Sequence, residues 1–183
     1  GITLRSFSFY ASDSGDTGES PFLRLPAGSY EIVVRPHGTT PPSYAFRLLP
    51  AATATVIALD SAISGTLSPA RETDAYRFDA VAGTIISVTD VENASGTGIY
   101  YRLIDGFGRQ VVSTRYLQGG DSLTLERAGT YTLLIEGRVW EAEGATSSYR
   151  FTLQTPLDPA PRAVPLPRPL PPPLLVPGPA AGQ

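Results

Sequence analysis

The chain writes one pattern twice. Residues 27–49 run AGSYEIVVRPHGTTPPSYAFRLL, and residues 128–153 run AGTYTLLIEGRVWEAEGATSSYRFTL. Each copy has Ala-Gly-x-Tyr, an alternating apolar stretch, a turn-rich excursion and Ser-Tyr-x-Phe-x-Leu. Ala128 follows Ala27 by 101 residues, and Ser148 follows Ser43 by 105. Self-similarity at this distance marks tandem domains of one fold and not a short-period solenoid. It favours a modular binding or structural protein over a single catalytic unit.

The periodicity inside and between the copies is two. Tyr30, Ile32 and Val34 alternate with Glu31, Val33 and Arg35; Tyr76 and Phe78 with Arg77 and Asp79; Tyr149, Phe151 and Leu153 with Arg150 and Thr152. Such strands pack one face and wet the other, as antiparallel sheet does. From Ser61 to Thr155 the pattern predicts eight strands, near 63–67, 74–80, 84–90, 99–105, 109–116, 121–126, 129–137 and 147–154. The expectation is an all-β chain of tandem antiparallel sandwiches, jelly-roll-like in form. In each Ala-Gly-x-Tyr element the Gly takes the turn, and the Tyr buries its ring while its hydroxyl bonds nearby backbone, the logic of a tyrosine corner.

Residues 1–50 match only the last strands of the second copy, and a piece that short rarely builds its own core. The expected division is a C-terminal part of a first repeat at 1–50, a linker at 51–60, a complete repeat at 61–155 and a Pro-rich tail at 156–183. The missing strands of the first repeat lie upstream in a longer parent or come from another chain by strand addition. Gly1 in place of an initiating Met agrees with a piece of something longer. The tail holds eleven of the eighteen prolines; it cannot form a ladder or helix and reads as a polyproline II spacer or a docking ligand.

Composition removes several function classes. The net charge is −3 and the basic residues are all Arg, which leaves no basic stripe for nucleic acid. No run reaches the ~18 apolar residues of a membrane-spanning helix. Cysteine is absent, so there is no disulfide framework, thiolate metal site or thiol nucleophile.

The stretch SGTLSPARETDAYRFDAVAGTIISV (64–88) resembles the bacterial pre-peptidase C-terminal domain family. The residues that carry this are Ser64-Gly65-Thr66-Leu67, Asp74-Ala75-Tyr76-Arg77-Phe78 and Ala82-Gly83, followed by Arg102-Leu103-Ile104-Asp105-Gly106-Phe107-Gly108 and Ala128-Gly129-Thr130-Tyr131. The resemblance covers the second repeat almost fully and the first in part. It implies a jelly-roll-like sandwich found after secreted peptidases and as tandem copies in large bacterial surface proteins. Some members bind calcium, collagen or other extracellular polymers.

Three features invite chemistry. Asp13, Asp16 and Glu19 lie in ASDSGDTGES, where three-residue spacing lets carboxylates gather round a hard cation such as calcium; Asp90, Glu92 and Asn93 form a second oxygen cluster. Trp140, the only tryptophan, sits in the excursion of the second copy, where it can stack on a sugar ring, anchor a partner or fold back over the sheet. Tyr100 and Tyr101 are adjacent in a strand, so one of them faces outward as a candidate contact. His37 is the only histidine and reads as a solvated turn residue, because no Gly-x-Ser-x-Gly elbow accompanies it.

The reading is a non-catalytic structural or adhesive module of a secreted or surface-displayed bacterial repeat protein. Its partners are other copies of itself, neighbouring repeats, or an extracellular polysaccharide or protein matrix. The alternatives are an accessory C-terminal region of a secreted hydrolase, a peptidase by the resemblance, and a carbohydrate-binding module.

Overall fold

The computed structural model describes residues 2–4, 6, 22–36, 38–40, 43–93, 98–120, 122–142 and 144–156. Asp13, Asp16, Glu19, His37 and the Pro-rich tail beyond residue 156 lie outside them. The protein is all-β. Among the described residues, a 3-10 turn at Ala51–Thr53 is followed by nine strands: β1 Thr55–Val56, β2 Ala62–Leu67, β3 Thr73–Ala80, β4 Ile85–Asn93, β5 Tyr100–Ile104, β6 Gln110–Tyr116, β7 Ser122–Thr124, β8 Gly129–Glu136 and β9 Ser147–Gln154. All eight strands expected after residue 61 are present as β2–β9. β1 was not foreseen: it adds a parallel edge beside Tyr76 and Arg77, within the stretch that reads as a linker.

The strands form two sheets, ordered β1-β3-β8-β5-β6 and β2-β9-β4-β7. Almost every connection crosses from one sheet to the other, and only β5 and β6 are joined as a hairpin within a sheet. Alternation explains the packing. Tyr76, Phe78, Tyr101, Leu103, Tyr131, Leu133 and Ile135 of the first sheet meet Ile63, Leu67, Ile86, Val88, Tyr149, Phe151 and Leu153 of the second. Each such side chain contributes about 1.5–3 kcal/mol when fully buried. The sandwich is also closed end to end. Asp60, at a φ of 61°, accepts from the Thr155 amide at 2.6 Å and the Thr155 hydroxyl at 2.8 Å.

The motif residues have a shared structural reason. Tyr149 donates to Asp74 at 2.6 Å and bonds the Tyr76 hydroxyl at 2.5 Å, and both rings press so close to Gly65 that a Cβ there has no room. Phe78 stacks on Tyr131 at 5.7 Å, and Tyr131 donates to the Arg127 carbonyl at 2.6 Å as the expected tyrosine corner. Ser-Gly-x-Leu, Asp-x-Tyr-x-Phe and Ser-Tyr-x-Phe are thus three views of one junction between the sheets.

Two findings depart from simple alternation. The outward faces of β5 and β8 are dry: Arg102, Ile104, Thr132, Leu134 and Glu136 are all buried. In addition, residues 22–36 and 43–50 form no ladder, although Tyr30, Ile32 and Val34 alternate. Phe22 and Arg24 lie over Gly108 of the β5–β6 hairpin, and Arg47 reaches Glu72 at 3.2 Å and the Thr73 carbonyl at 2.5 Å.

Candidate functional site

Tyr100 and Tyr101 divide as their adjacency requires. Tyr101 enters the core, while Tyr100 is half-buried on the outer side of β5. Its ring meets Tyr116 of β6 edge-on at 5.4 Å, because the two residues pair directly across the ladder. Gly98 leaves space for both rings; a Cβ there would touch Tyr100 at 3.0 Å and Tyr116 at 3.4 Å.

Arg138 completes the surface. It follows β8, whose last residue, Glu136, pairs with Tyr100. Between them Gly137 passes so tightly by the Ala70 carbonyl that no side chain fits, and its amide donates to the Glu72 carbonyl at 2.8 Å. That close approach aims Arg138 back over the sheet. Its guanidinium lies 3.5 Å from the Tyr100 ring centre and 5.8 Å from that of Trp140. The two residues singled out in the sequence therefore belong to one patch, joined by an arginine that sequence reasoning missed. Its signal was present in Gly137-Arg138-Val139-Trp140, but only the fold shows which strand the loop returns to.

Beside Tyr100 on the same outward face lies a dry ion pair. Arg102 Nε stands 3.2 Å from Glu136 Oε1, with both side chains essentially inaccessible. Arg102 also donates to Gln110 Oε1 at 2.9 Å and to Thr114 Oγ1. The exposed parts of the patch are Trp140 at 66% and Tyr116 at 41%, whereas Arg138 is buried. Chemically this is a small aromatic surface, with the Tyr100 and Tyr116 rings edge-on to one another and the buried Arg138 guanidinium packed on Tyr100, suited to anchoring a partner.

The other expectations fare differently. In the second oxygen cluster Glu92 pairs with Arg150 at 3.2 Å and Asn93 donates to the Leu117 carbonyl at 3.0 Å. Among the described residues no group of three or more acidic or imidazole side chains is arranged to hold a metal ion. Asp74 sits apart from any such group; burial raises its pKa, with the Tyr149 hydrogen bond opposing. Burial also pushes Tyr149 well up, and its bonds to Asp74 and Tyr76 add to this. The Tyr149 hydroxyl is a structural donor to Asp74. Asp105 is held below the usual carboxylate range. Burial alone would raise it, but the Arg109 amide, the Arg109 side chain and the Phe107 amide all bond it.

Cavities lie beside the strands among the described residues. One of about 240 Å³ opens between Arg47, Leu49 and Pro50 and the strand residues Asp74 and Tyr76. Another, about 120 Å³, lies between the sheets beside Val112, Leu123 and Leu133. Among the described residues no helix is long and apolar enough to cross a membrane.

No family model matches the chain, and no curated protein matches it. Among solved structures, the pre-peptidase C-terminal domain of a collagenase from Bacillus anthracis is similar over 54% of this chain and 92% of that one, at 21% identity and a TM-score of 0.38. A periplasmic inhibitor of g-type lysozyme from Salmonella Typhimurium is similar over 56% of this chain and 98% of its own, at 24% identity and a TM-score of 0.43. A mutant of the corresponding Escherichia coli inhibitor is similar over 56% and 97%, at 20% identity and a TM-score of 0.44. Neither attachment to a collagenase nor inhibition of lysozyme passes from these proteins to this chain.

Proposed function

We propose that this chain is a non-catalytic β-sandwich module of a secreted or surface-displayed bacterial protein, and that it holds an extracellular polymer on the patch of Tyr100, Tyr116, Arg138 and Trp140. The observation that carries the reading is the single guanidinium lying over both the Tyr100 and Trp140 rings. Tyr100, held between Tyr116 and Arg138, is ordered before any partner arrives, which lowers the entropic cost of association.

The test is co-sedimentation of the full chain with insoluble collagen, cellulose, chitin and peptidoglycan. Retention on at least one of these is expected, weakened at least about tenfold, or about 1.4 kcal/mol, by Trp140→Ala. Tyr116→Ala is expected to act in the same direction. Both side chains are exposed, so the far-ultraviolet circular dichroism of the variants should match that of the parent. Retention that ignores both substitutions, or no retention on any of the four polymers, overturns the proposal.

A further inference from the structure

The cavity of about 240 Å³ opens between the stretch 47–55 and the first half of β3. Sites for drug-sized ligands measure roughly 300–1,000 Å³, so this one takes a small molecule or a single side chain. The charged groups around it are unequally satisfied. Glu72, just before β3, has both oxygens engaged: Oε1 accepts from the Ser68 amide at 2.8 Å and Oε2 from Arg47 at 3.2 Å. Arg47 also donates to the Thr73 carbonyl at 2.5 Å. Asp74, on the cavity wall, has no such counterion. Its Oδ2 accepts from the Tyr149 hydroxyl at 2.6 Å, and among the described residues its Oδ1 accepts no hydrogen bond. Arg47 and Glu72 cancel, which leaves one uncompensated, half-buried carboxylate facing the ligand space. Burial raises its pKa and the Tyr149 bond opposes; the Glu72 charge then raises it further than the Arg47 charge lowers it. The field at Asp74 favours a cation.

We propose that this cavity binds a primary alkylammonium, with its charge beside Asp74 Oδ1 and its stem along Leu49, Pro50 and Ala54. It uses none of the residues of the polymer-binding patch. Three rivals fit worse. A guanidinium needs both carboxylate oxygens for its fork, and Tyr149 already holds one of them. Calcium takes roughly six to eight oxygens, and no second carboxylate lines the cavity among the described residues. A neutral hydroxyl leaves the buried charge unbalanced. An ammonium is a compact point charge with three donors. Asp74 Oδ1 accepts one, and the hydroxyl oxygens of Thr53 and Thr55, which line the cavity, accept the others. Thr53 gives its own proton to the Pro50 carbonyl at 2.8 Å, which leaves its oxygen as an acceptor. None of the 183 residues is lysine, so the group arrives on a free amine or on a lysine of another protein.

The test is an NMR titration of the full, isotope-labelled chain near neutral pH with n-butylammonium, n-butylguanidinium, n-butanol and a capped Gly-Lys-Gly peptide. Butylammonium should shift the amides of Thr55, Asp74 and Ala75 and leave those of Tyr100 and Trp140 in place. Butylguanidinium and butanol should bind at least about tenfold more weakly, the scale of one charge-assisted hydrogen bond. Asp74→Asn should weaken butylammonium by the same factor. The amide keeps an oxygen for the Tyr149 hydroxyl, so circular dichroism should show the variant folded. The parent gives a second readout: its affinity for butylammonium should fall as pH is lowered and Asp74 takes up a proton, a fall that Asp74→Asn removes. Peptide binding at least as tight as that of butylammonium assigns the group to a partner's lysine, and weaker peptide binding assigns it to a free amine. The proposal is overturned if neither shifts residues 55 and 74–75, or if butanol or butylguanidinium binds as tightly as butylammonium. Affinity that ignores Asp74→Asn overturns it too, as does, where that variant does not fold, a parent affinity that ignores pH.

Discussion

Replacing Arg102 with methionine removes one half of an ion pair that water does not reach. The two side chains are 1% and 0% exposed, with Nε and Oε1 3.2 Å apart. The variant leaves the Glu136 carboxylate buried without its guanidinium, which costs about 3–5 kcal/mol. The lost bonds to Gln110 and Thr114 add less, because both of those residues reach solvent. For a domain of this size 1 kcal/mol moves the melting temperature by about 4–8 °C, so the fall should be about 12–40 °C. Pairing Arg102→Met with Glu136→Leu takes the stranded charge away and should return stability to within about 2 kcal/mol of the parent. Thermal and urea unfolding followed by circular dichroism measure both variants. A single variant that loses less than about 1 kcal/mol, or a double variant no better than the single, would refute the argument that desolvation governs this pair.

Other outcomes test other parts of the structure. Gly137→Ala should destabilise the sandwich and shift Trp140 emission, since its new methyl group collides with the Ala70 carbonyl; unchanged melting would mean the loop relaxes freely. Asp105→Asn should flatten the acid limb of stability. The native carboxylate is held below its unfolded pKa of about 3.9, so its contribution is full above that value and is lost as pH falls through the lower folded one. Asp74→Asn should act in the opposite sense. With its folded pKa raised, Asp74 loses stabilising influence as pH climbs from about 3.9 through the folded value, so the amide should melt no lower than the parent at pH 7. A clear drop at pH 7 would show that the charged bond from Tyr149 outweighs desolvation. Arg138→Ala should change the emission of Trp140, the single tryptophan, and an unaltered spectrum would deny the contact between them.

Much of the fold could be read from period-two alternation and turn residues, because each strand of the sandwich keeps one face dry. The tyrosine corner was legible for the same reason: Ala-Gly-x-Tyr encodes its own local bond, and Tyr131 makes it with a carbonyl only four residues away. Thr55–Val56 escaped notice, since two residues show no period and the strand exists only beside β3. The dry outer face escaped as well. Nothing local marks Arg102 and Glu136 as partners, and only the pairing of β5 with β8 brings them into contact.

What the sequence determined by itself was local. It set the strands, the corners, the glycines that permit close approach, and the repetition of a closing strand pair. Tertiary structure decided which of these local pieces meet. It gathered Gly65, Asp74, Tyr76 and Tyr149 from three strands into one junction. It also carried Arg138 back across the sheet to lie between Tyr100 and Trp140. The physical reason is that alternation states which face of a strand is buried, whereas neighbours in a sheet are chosen by chain crossings that no local period records.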